Sequence, residues 1–320
     1  MSIIDKLFFC SLVYCPSCFK HIQTILVYLP KKFYIPTYKN HKMKTFKKTH
    51  LLFFIVFLIS NAISSQSINL ISYNIKYDHK NDTLNNWQDR KQHIITLIEQ
   101  YNPSIFGIQE GLINQVKFLD NSLTNYTYVG HGRDGKTQGE YSAIFYDSTK
   151  FKVKKNHTFW LSQTPDFISK GWDAALNRIC TYALFENLSS KKRLWVFNTH
   201  FDHIGELARE NSAQLILDII EQINTLNFPI VLMGDFNALP KEKPIQLLKT
   251  QLNDGLKLSE KPLIGPTGTF NGFNKNPVTK RIDYFFTKNV AVNSYEHIDD
   301  LLNNKKHISD HLPILITINY

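Results

Sequence analysis

Ile230-Val-Leu-Met-Gly-Asp-Phe-Asn237 decides how this chain folds. A short unbroken apolar run closed by glycine reads as a buried strand over 228–233, and two polar side chains, Asp235 and Asn237, follow it at once. The same order, apolar run then polar group, recurs outward in both directions. Asn74 lies near the end of an alternating strand over 68–75, Glu110 follows the apolar strand 104–109, and His200 follows 193–199. Asp283 sits within a strand over 281–287, and Asp310-His311 stand just ahead of 313–319. Strands over 141–146 and 179–186 complete the set. Between them the 3.6-residue period predicts helices over 87–101, which stops before Asn102-Pro103, over 112–122, and over 206–223. In the last, Leu207, Leu215, Ile219, Ile220 and Ile223 are placed on one side. β-branched and aromatic strands mixed with long helices predict an α/β fold with two sheets and helices outside them.

Composition narrows the function. Of 320 residues, 43% are hydrophobic and 20% charged, an ordinary globular balance. The net charge of +10 invites a nucleic-acid reading until it is located. Of 37 basic and 27 acidic residues, nine Lys and Asp5 lie within residues 1–65, so the remaining 255 residues carry 28 basic against 26 acidic. The main domain therefore has no large polycationic surface. Only Cys180 lies beyond residue 18, which excludes a disulfide framework.

The leader reads as two pieces. Lys44 to His50 form a cationic segment, residues 51–60 an apolar run of ten, and residues 61–66 a small and polar zone. That is the layout of a secretory signal over 43–65 with cleavage near Ser64 or Ser65; the run is shorter than the roughly 20 residues of a membrane span. The alternative is an uncleaved N-terminal anchor. Residues 1–42 are expected to be a non-native upstream extension, with Met43 the true start. Cys15-Pro-Ser-Cys18 has zinc-knuckle spacing, but no second ligand pair follows it. Residues 66–320 are expected to form one domain.

Groups at strand ends share a cleft in α/β proteins. Acids, amides and His, without thiolates or a Gly-rich nucleotide loop, suit a hard divalent ion held by oxygen together with acid–base work by His. Ser72-Tyr-Asn74, Ile108-Gln-Glu110, Asn198-Thr-His200, Gly234-Asp-Phe-Asn237, Arg281-Ile-Asp-Tyr284 and Ser309-Asp-His311 stand in the order of the endonuclease/exonuclease/phosphatase superfamily, which residues 68–320 resemble. Asn86-Trp-Gln-Asp-Arg-Lys91, Gly171-Trp-Asp-Ala-Ala175 and residues 199–205 look closer to its secreted bacterial branch of uncharacterised hydrolases. The resemblance implies a DNase-I-like four-layer α/β sandwich with two central mixed sheets, and cleavage of phosphate esters with Mg²⁺ or Mn²⁺. On it, Glu110 is the principal metal ligand, with Asn74 and Asp310 beside it. Asp235 and Asn237 orient the attacking water and a phosphoryl oxygen. Asp283 holds His311, and Glu140 pairs with His200. Arg178 contacts the substrate phosphate, the plain alternative being a surface salt bridge.

Other residues have quieter readings. Asp202 and His203 are expected to support His200. Trp172 and Tyr141 are either stacking platforms or core. Lys152, Lys154 and Lys155 alternate around Val153 as on a solvated strand edge. The Asn-x-Ser/Thr sites at Asn81, Asn125, Asn156 and Asn187 are chance matches in an Asn-rich chain. The expected protein is a secreted, monomeric, metal-dependent phosphoesterase that prefers a small phosphate ester to nucleic acid. The alternatives are a nuclease, a sphingomyelinase-like lipid phosphodiesterase, and an inactive binding module.

Overall fold

The computed structural model describes residues 67–302 and 306–320. The signal reading over 43–65, the 1–42 extension and the Cys15–Cys18 pair lie outside these residues. Among the described residues, no helix is long and apolar enough to cross a membrane.

Among the described residues, twelve strands form two six-stranded mixed sheets. The first has the order β11(Ala291–His297), β12(Ile314–Asn319), β1(Ile68–Asn74), β2(Ile105–Gln109), β4(Ile144–Asp147), β3(Tyr126–Val129). The second runs β5(Phe151–Trp160), β6(Ile179–Asn187), β7(Arg193–His200), β8(Ile230–Asp235), β10(Asp283–Lys288), β9(Asn253–Asp254). β1 pairs with β2, and β7 with β8, in parallel. The sheets pack face to face over Leu70, Ile105, Val196, Val231, Met233 and Phe285, among others. Helices α1(Trp87–Tyr101) and α2(Ile113–Ser122) cover the outer face of the first sheet. Helices α3(Glu206–Ile223) and α4(Lys243–Leu248) cover that of the second, and α5(Gly255–Leu258) is a single turn. The result is the expected four-layer α/β sandwich.

Local chemistry sets these boundaries. The Asn86 side chain caps α1 by accepting from the Asp89 N–H at 3.1 Å. At its other end Asn102 turns left-handed (φ 41°) before Pro103. The α3 face needs correction. Leu207 is 51% exposed, and Ala208, Ala213, Ile216, Leu217 and Ile220 form the buried stripe, with Leu215, Ile219 and Ile223 on its flank. Small Ala residues let the helix lie close to the sheet, so the large apolar residues alone misplaced its face. Lys152, Lys154 and Lys155 do lie on an edge strand, β5, around a bulge between Val153 and Lys155. Gly107 leaves room for side chains of the facing sheet. A Cβ there would meet Met233 Cε at 2.5 Å and Asn198 Cγ at 2.7 Å.

Candidate active site

Alternation along the strands builds the site. Successive side chains point to opposite faces, so residues of one parity share a face. Ile68 and Leu70 of β1 enter the core between the sheets, which sends Ser72 and Asn74 the same way. By the same count Ile105 places Gln109, Leu194 and Val196 place Asn198 and His200, Val231 and Met233 place Asp235, and Phe285 places Asp283. Register brings these ends together: Asn74 opposite Gln109, His200 opposite Asp235, and Asp235 opposite Asp283. One end of the inter-sheet face thus becomes polar where five strands stop or start.

Asp235 is the centre. Its Oδ2 accepts from Asn74 Nδ2 at 3.0 Å and stands 3.4 Å from His200 Nε2 and 3.7 Å from His311 Nε2. Asn237 Nδ2 donates to the Phe201 carbonyl and lies 3.1 Å from His200 Nε2. Asp283 Oδ2 meets His311 Nδ1 at 3.0 Å and accepts from the Thr269 hydroxyl at 2.6 Å. Gly234 makes this corner possible. Its φ is +148°, and a Cβ would strike the Thr199 carbonyl oxygen at 2.1 Å.

Burial and neighbouring charge set the protonation states. Burial works against a charged His311, yet Asp283 and Asp235 outweigh it and push the imidazole up to about 10. Burial, with the Arg178 and Arg133 cations nearby, holds His200 well below its ordinary value. Burial and the Asp283 charge raise Asp235 to about 7, against the pull of His311. The two histidines therefore stand in opposite states near neutral pH.

The metal side lies along β1 and β2. Glu110 takes a left-handed backbone (φ 64°), uncommon for Glu, and turns its carboxylate toward Asn74, whose Nδ2 donates to Oε1 at 3.0 Å. The Tyr77 N–H donates to Oε2 at 3.1 Å. Asp310 is tied in through Ser309, whose hydroxyl donates to the Asn74 carbonyl (2.7 Å) and whose oxygen lies 3.3 Å from Asp310 Oδ1. Lys76, also left-handed (φ 58°), places its ammonium 3.4 Å from Asp310 Oδ2. Two carboxylates and an amide oxygen are the donor set of a hard divalent ion, so Glu110, Asn74 and Asp310 fit one. Asp235, Asp283 and His311 also cluster closely enough to hold an ion. Within that cluster His311 Nδ1 and Asp283 Oδ2 already bond one another at 3.0 Å.

Two of the expected contacts have further partners. Glu140 bonds Arg133 NH1 at 2.8 Å and stands 3.9 Å from His200 Nδ1, because the Arg133 guanidinium claims the same oxygen first. Burial raises the Glu140 carboxyl to about 7 despite Arg133. Arg178 is neither on the surface nor unattached. It is buried, with Nε on Asp202 (3.2 Å) and NH2 on His203 Nδ1 (2.9 Å), and it lines a small cavity with Arg133, Glu140 and His200. Asp202 also accepts the N–H groups of Ala175, Leu176, Ile204 and Gly205, so it fixes the 171–177 loop beside His200. Tyr141 is core. Sequence reasoning passed over Arg90, Thr269 and the structural role of Asn198. Arg90 is buried and donates to four backbone carbonyls: Ile75 (2.7 Å), Asn85 (2.7 Å), Lys76 (3.1 Å) and Ile308 (3.2 Å). Its charge in a buried helix face was the signal to follow.

Comparison with known proteins agrees with this geometry. Residues 71–311 match the Endonuclease/Exonuclease/phosphatase family. A protein of that family from Bacteroides vulgatus is 37% identical with a TM-score of 0.76, covering 79% of this chain and 99% of that one. A mannosyl-6-phosphatase of Bacteroides thetaiotaomicron is 33% identical with a TM-score of 0.76, covering 79% of this chain and all of the other. An uncharacterised protein of Acanthamoeba polyphaga mimivirus is 31% identical over 250 residues, 72% of this chain and 91% of its own length.

Proposed function

This chain belongs to the endonuclease/exonuclease/phosphatase family of divalent-metal-dependent phosphoester hydrolases, and we propose that it hydrolyses small phosphate esters, sugar phosphates foremost. The observation that carries the reading is the convergence of Asn74, His200 and His311 on one carboxylate oxygen of Asp235. Glu110, Asn74 and Asp310 would hold the divalent ion, Mg²⁺ or Mn²⁺, which would supply neutralisation of charge on the ester and its leaving oxygen. The ester phosphorus sits over the oxygen where those groups meet. Asp235, near neutrality, takes a proton from the attacking water as the new P–O bond forms. His311, kept charged by Asp283, donates to a phosphoryl oxygen whose charge grows in the transition state. Asn237 and neutral His200 orient the water and a second oxygen. The ester P–O bond breaks, and the alcohol leaves with a proton from solvent or the site.

Three facts favour a small substrate. The main domain carries 28 basic against 26 acidic residues, too few spare cations to track a phosphate backbone. The two arginines at the site are partly spent on Glu140 and Asp202. A 33% identical structural neighbour is a mannosyl-6-phosphatase. We further propose that the chain is secreted through residues 43–65 and acts as a monomer. The test is a panel of hexose 6-phosphates, bis-p-nitrophenyl phosphate, sphingomyelin, RNA and plasmid DNA with each metal. Hexose phosphates should have the highest kcat/KM, and preferred cleavage of nucleic acid would reject the reading.

A further inference from the structure

A cavity of about 460 Å³ opens beside the catalytic groups, lined by Tyr77, Asp78, His79, Leu112, Arg133 and Glu140, among others. It joins both halves of the site. Its wall begins at Tyr77, whose N–H bonds Glu110, and it shares Arg133 and Glu140 with the small cavity at His200. A larger cavity of about 800 Å³, near Phe273 and Val278, shares no residue with the catalytic groups. We propose that the Tyr77–Arg133 cavity is the subsite for the organic part of the substrate, and that it takes a neutral polyhydroxyl ring of hexose size. The proposal rests on the phosphoesterase reading above and assigns its substrate specificity.

The chemistry of the wall selects the ligand. A cavity of this size suits one small molecule. Tyr77 and His79 stand edge to face with ring centres 5.6 Å apart, and the Lys76 ammonium lies 5.1 Å from the Tyr77 ring centre. These rings offer an apolar face to the C–H surface of a sugar. Around them stand acceptors and donors together: the Asp78 and Glu140 carboxylates, and the Arg133 guanidinium with Lys80. Two acids thus stand among two bases along the wall. Carboxylates repel a run of phosphates and accept hydrogen bonds from hydroxyls, so the wall suits a polyol and disfavours a polynucleotide. Asn114 donates to Asp78 Oδ2 at 2.8 Å, and the Asp78 N–H donates to Gln115 Oε1 at 2.9 Å, so this acceptor is held in place by α2. A site built to bond hydroxyls discriminates strongly against an analogue lacking them.

The experiment compares mannose 6-phosphate with p-nitrophenyl phosphate in the wild type and in Tyr77→Leu and His79→Ala, with free mannose as a binding probe by saturation-transfer NMR. Both variants alter side chains at the surface and keep the Tyr77 N–H. In each, the ratio of kcat/KM for the sugar phosphate to that for p-nitrophenyl phosphate should fall about tenfold or more, the worth of one lost contact. The loss should lie mainly in KM, and the mannose signal should weaken. An unchanged ratio with an unchanged mannose signal would overturn the subsite while leaving the phosphoesterase reading intact. A wild type that turns over no phosphomonoester defeats that reading instead, and the mannose signal then judges the subsite alone. Transfer to an oligonucleotide in place of mannose overturns the proposal in favour of a nucleic-acid substrate.

Discussion

Replacing Arg90 by Met keeps most of the side-chain volume and removes every hydrogen bond it makes. In the wild type Nε, NH1 and NH2 donate to the carbonyls of Asn85, Ile75, Ile308 and Lys76 at 2.7–3.2 Å. Ile75 and Lys76 directly follow Asn74 and Ile308 directly precedes Ser309-Asp310, while Asn85 lies just ahead of α1. One guanidinium thus holds the two segments that carry the proposed metal ligands. Each bond is worth roughly 1 kcal/mol net, more when one partner is charged, and the relief of removing a buried charge offsets part of that. The loss should be about 4 kcal/mol, a large share of a domain's ~5–15 kcal/mol. Arg90→Lys keeps the charge but reaches fewer carbonyls and should lose about half as much. Urea denaturation reads the stability. Mn²⁺ titration by electron paramagnetic resonance on folded Arg90→Lys reads the site, where affinity should fall about tenfold, as for other groups that orient ligands. Stability within 1 kcal/mol of wild type in Arg90→Met, or undiminished Mn²⁺ affinity in Arg90→Lys, would refute the clamp.

Activity should vanish in excess chelator, and Glu110→Gln should bind Mn²⁺ more weakly in the same titration, because an amide lacks the charge of the carboxylate. His311→Ala and His200→Ala should each lower kcat by about two decades or more in steady-state assays with the preferred ester. His297, buried with Nδ1 on the Pro266 carbonyl at 2.7 Å, is held by burial down at about 4. The unfolded chain therefore binds the extra proton first: this contribution is whole above pH 6.5 and is lost as pH falls toward 4, by up to roughly 3 kcal/mol, so denaturation midpoints should fall less steeply with pH in His297→Gln. Salt should weaken kcat/KM with a slope of only about one to two phosphates, measured between low and physiological ionic strength.

Much of this was legible in the sequence because one side-chain period governs each strand. Asn74, Glu110, His200, Asp235, Asp283 and His311 were found as polar residues at the ends of apolar runs, and those ends do converge. Strands β3, β9 and β11 were missed, and of β5 only the Lys152–Lys155 edge was read. Tyr126–Val129 is half-buried throughout, and much of β5 is exposed Lys and Asn, so neither shows a clean alternation. The Arg133 partner of Glu140 was not foreseen, although it lies only seven positions away, because which cation a carboxylate meets depends on how the 131–141 turn folds back. Thr269 gave no signal at all. It lies in a loop without period and earns its place only by reaching Asp283 across 14 residues.

The inter-sheet face changes character in three steps along β1 and β7, and in two along β8 and β10, where Asp235 comes straight after Met233 and Asp283 straight before Phe285 on the same face. Leu70, Ile105, Val196 and Val231 are hydrocarbon. Ser72, Gln109 and Asn198 come next, buried but neutral. Asn198 Nδ2 donates across to the carbonyls of Ile108 (2.9 Å) and Ala143 (2.8 Å), while Gln109 Nε2 donates to Asn198 Oδ1 (2.7 Å) and Ser72 Oγ (3.1 Å). His200 stands one step beyond Asn198 on β7. The amides bond the two sheets together where Gly107 lets them approach. The amide layer therefore serves both fold and chemistry: it fixes the spacing of the sheets, and with it the distances from His200 and His311 to Asp235. Asn198→Leu should then cost activity as well as stability, because Leu fills the space but ties neither sheet to the other.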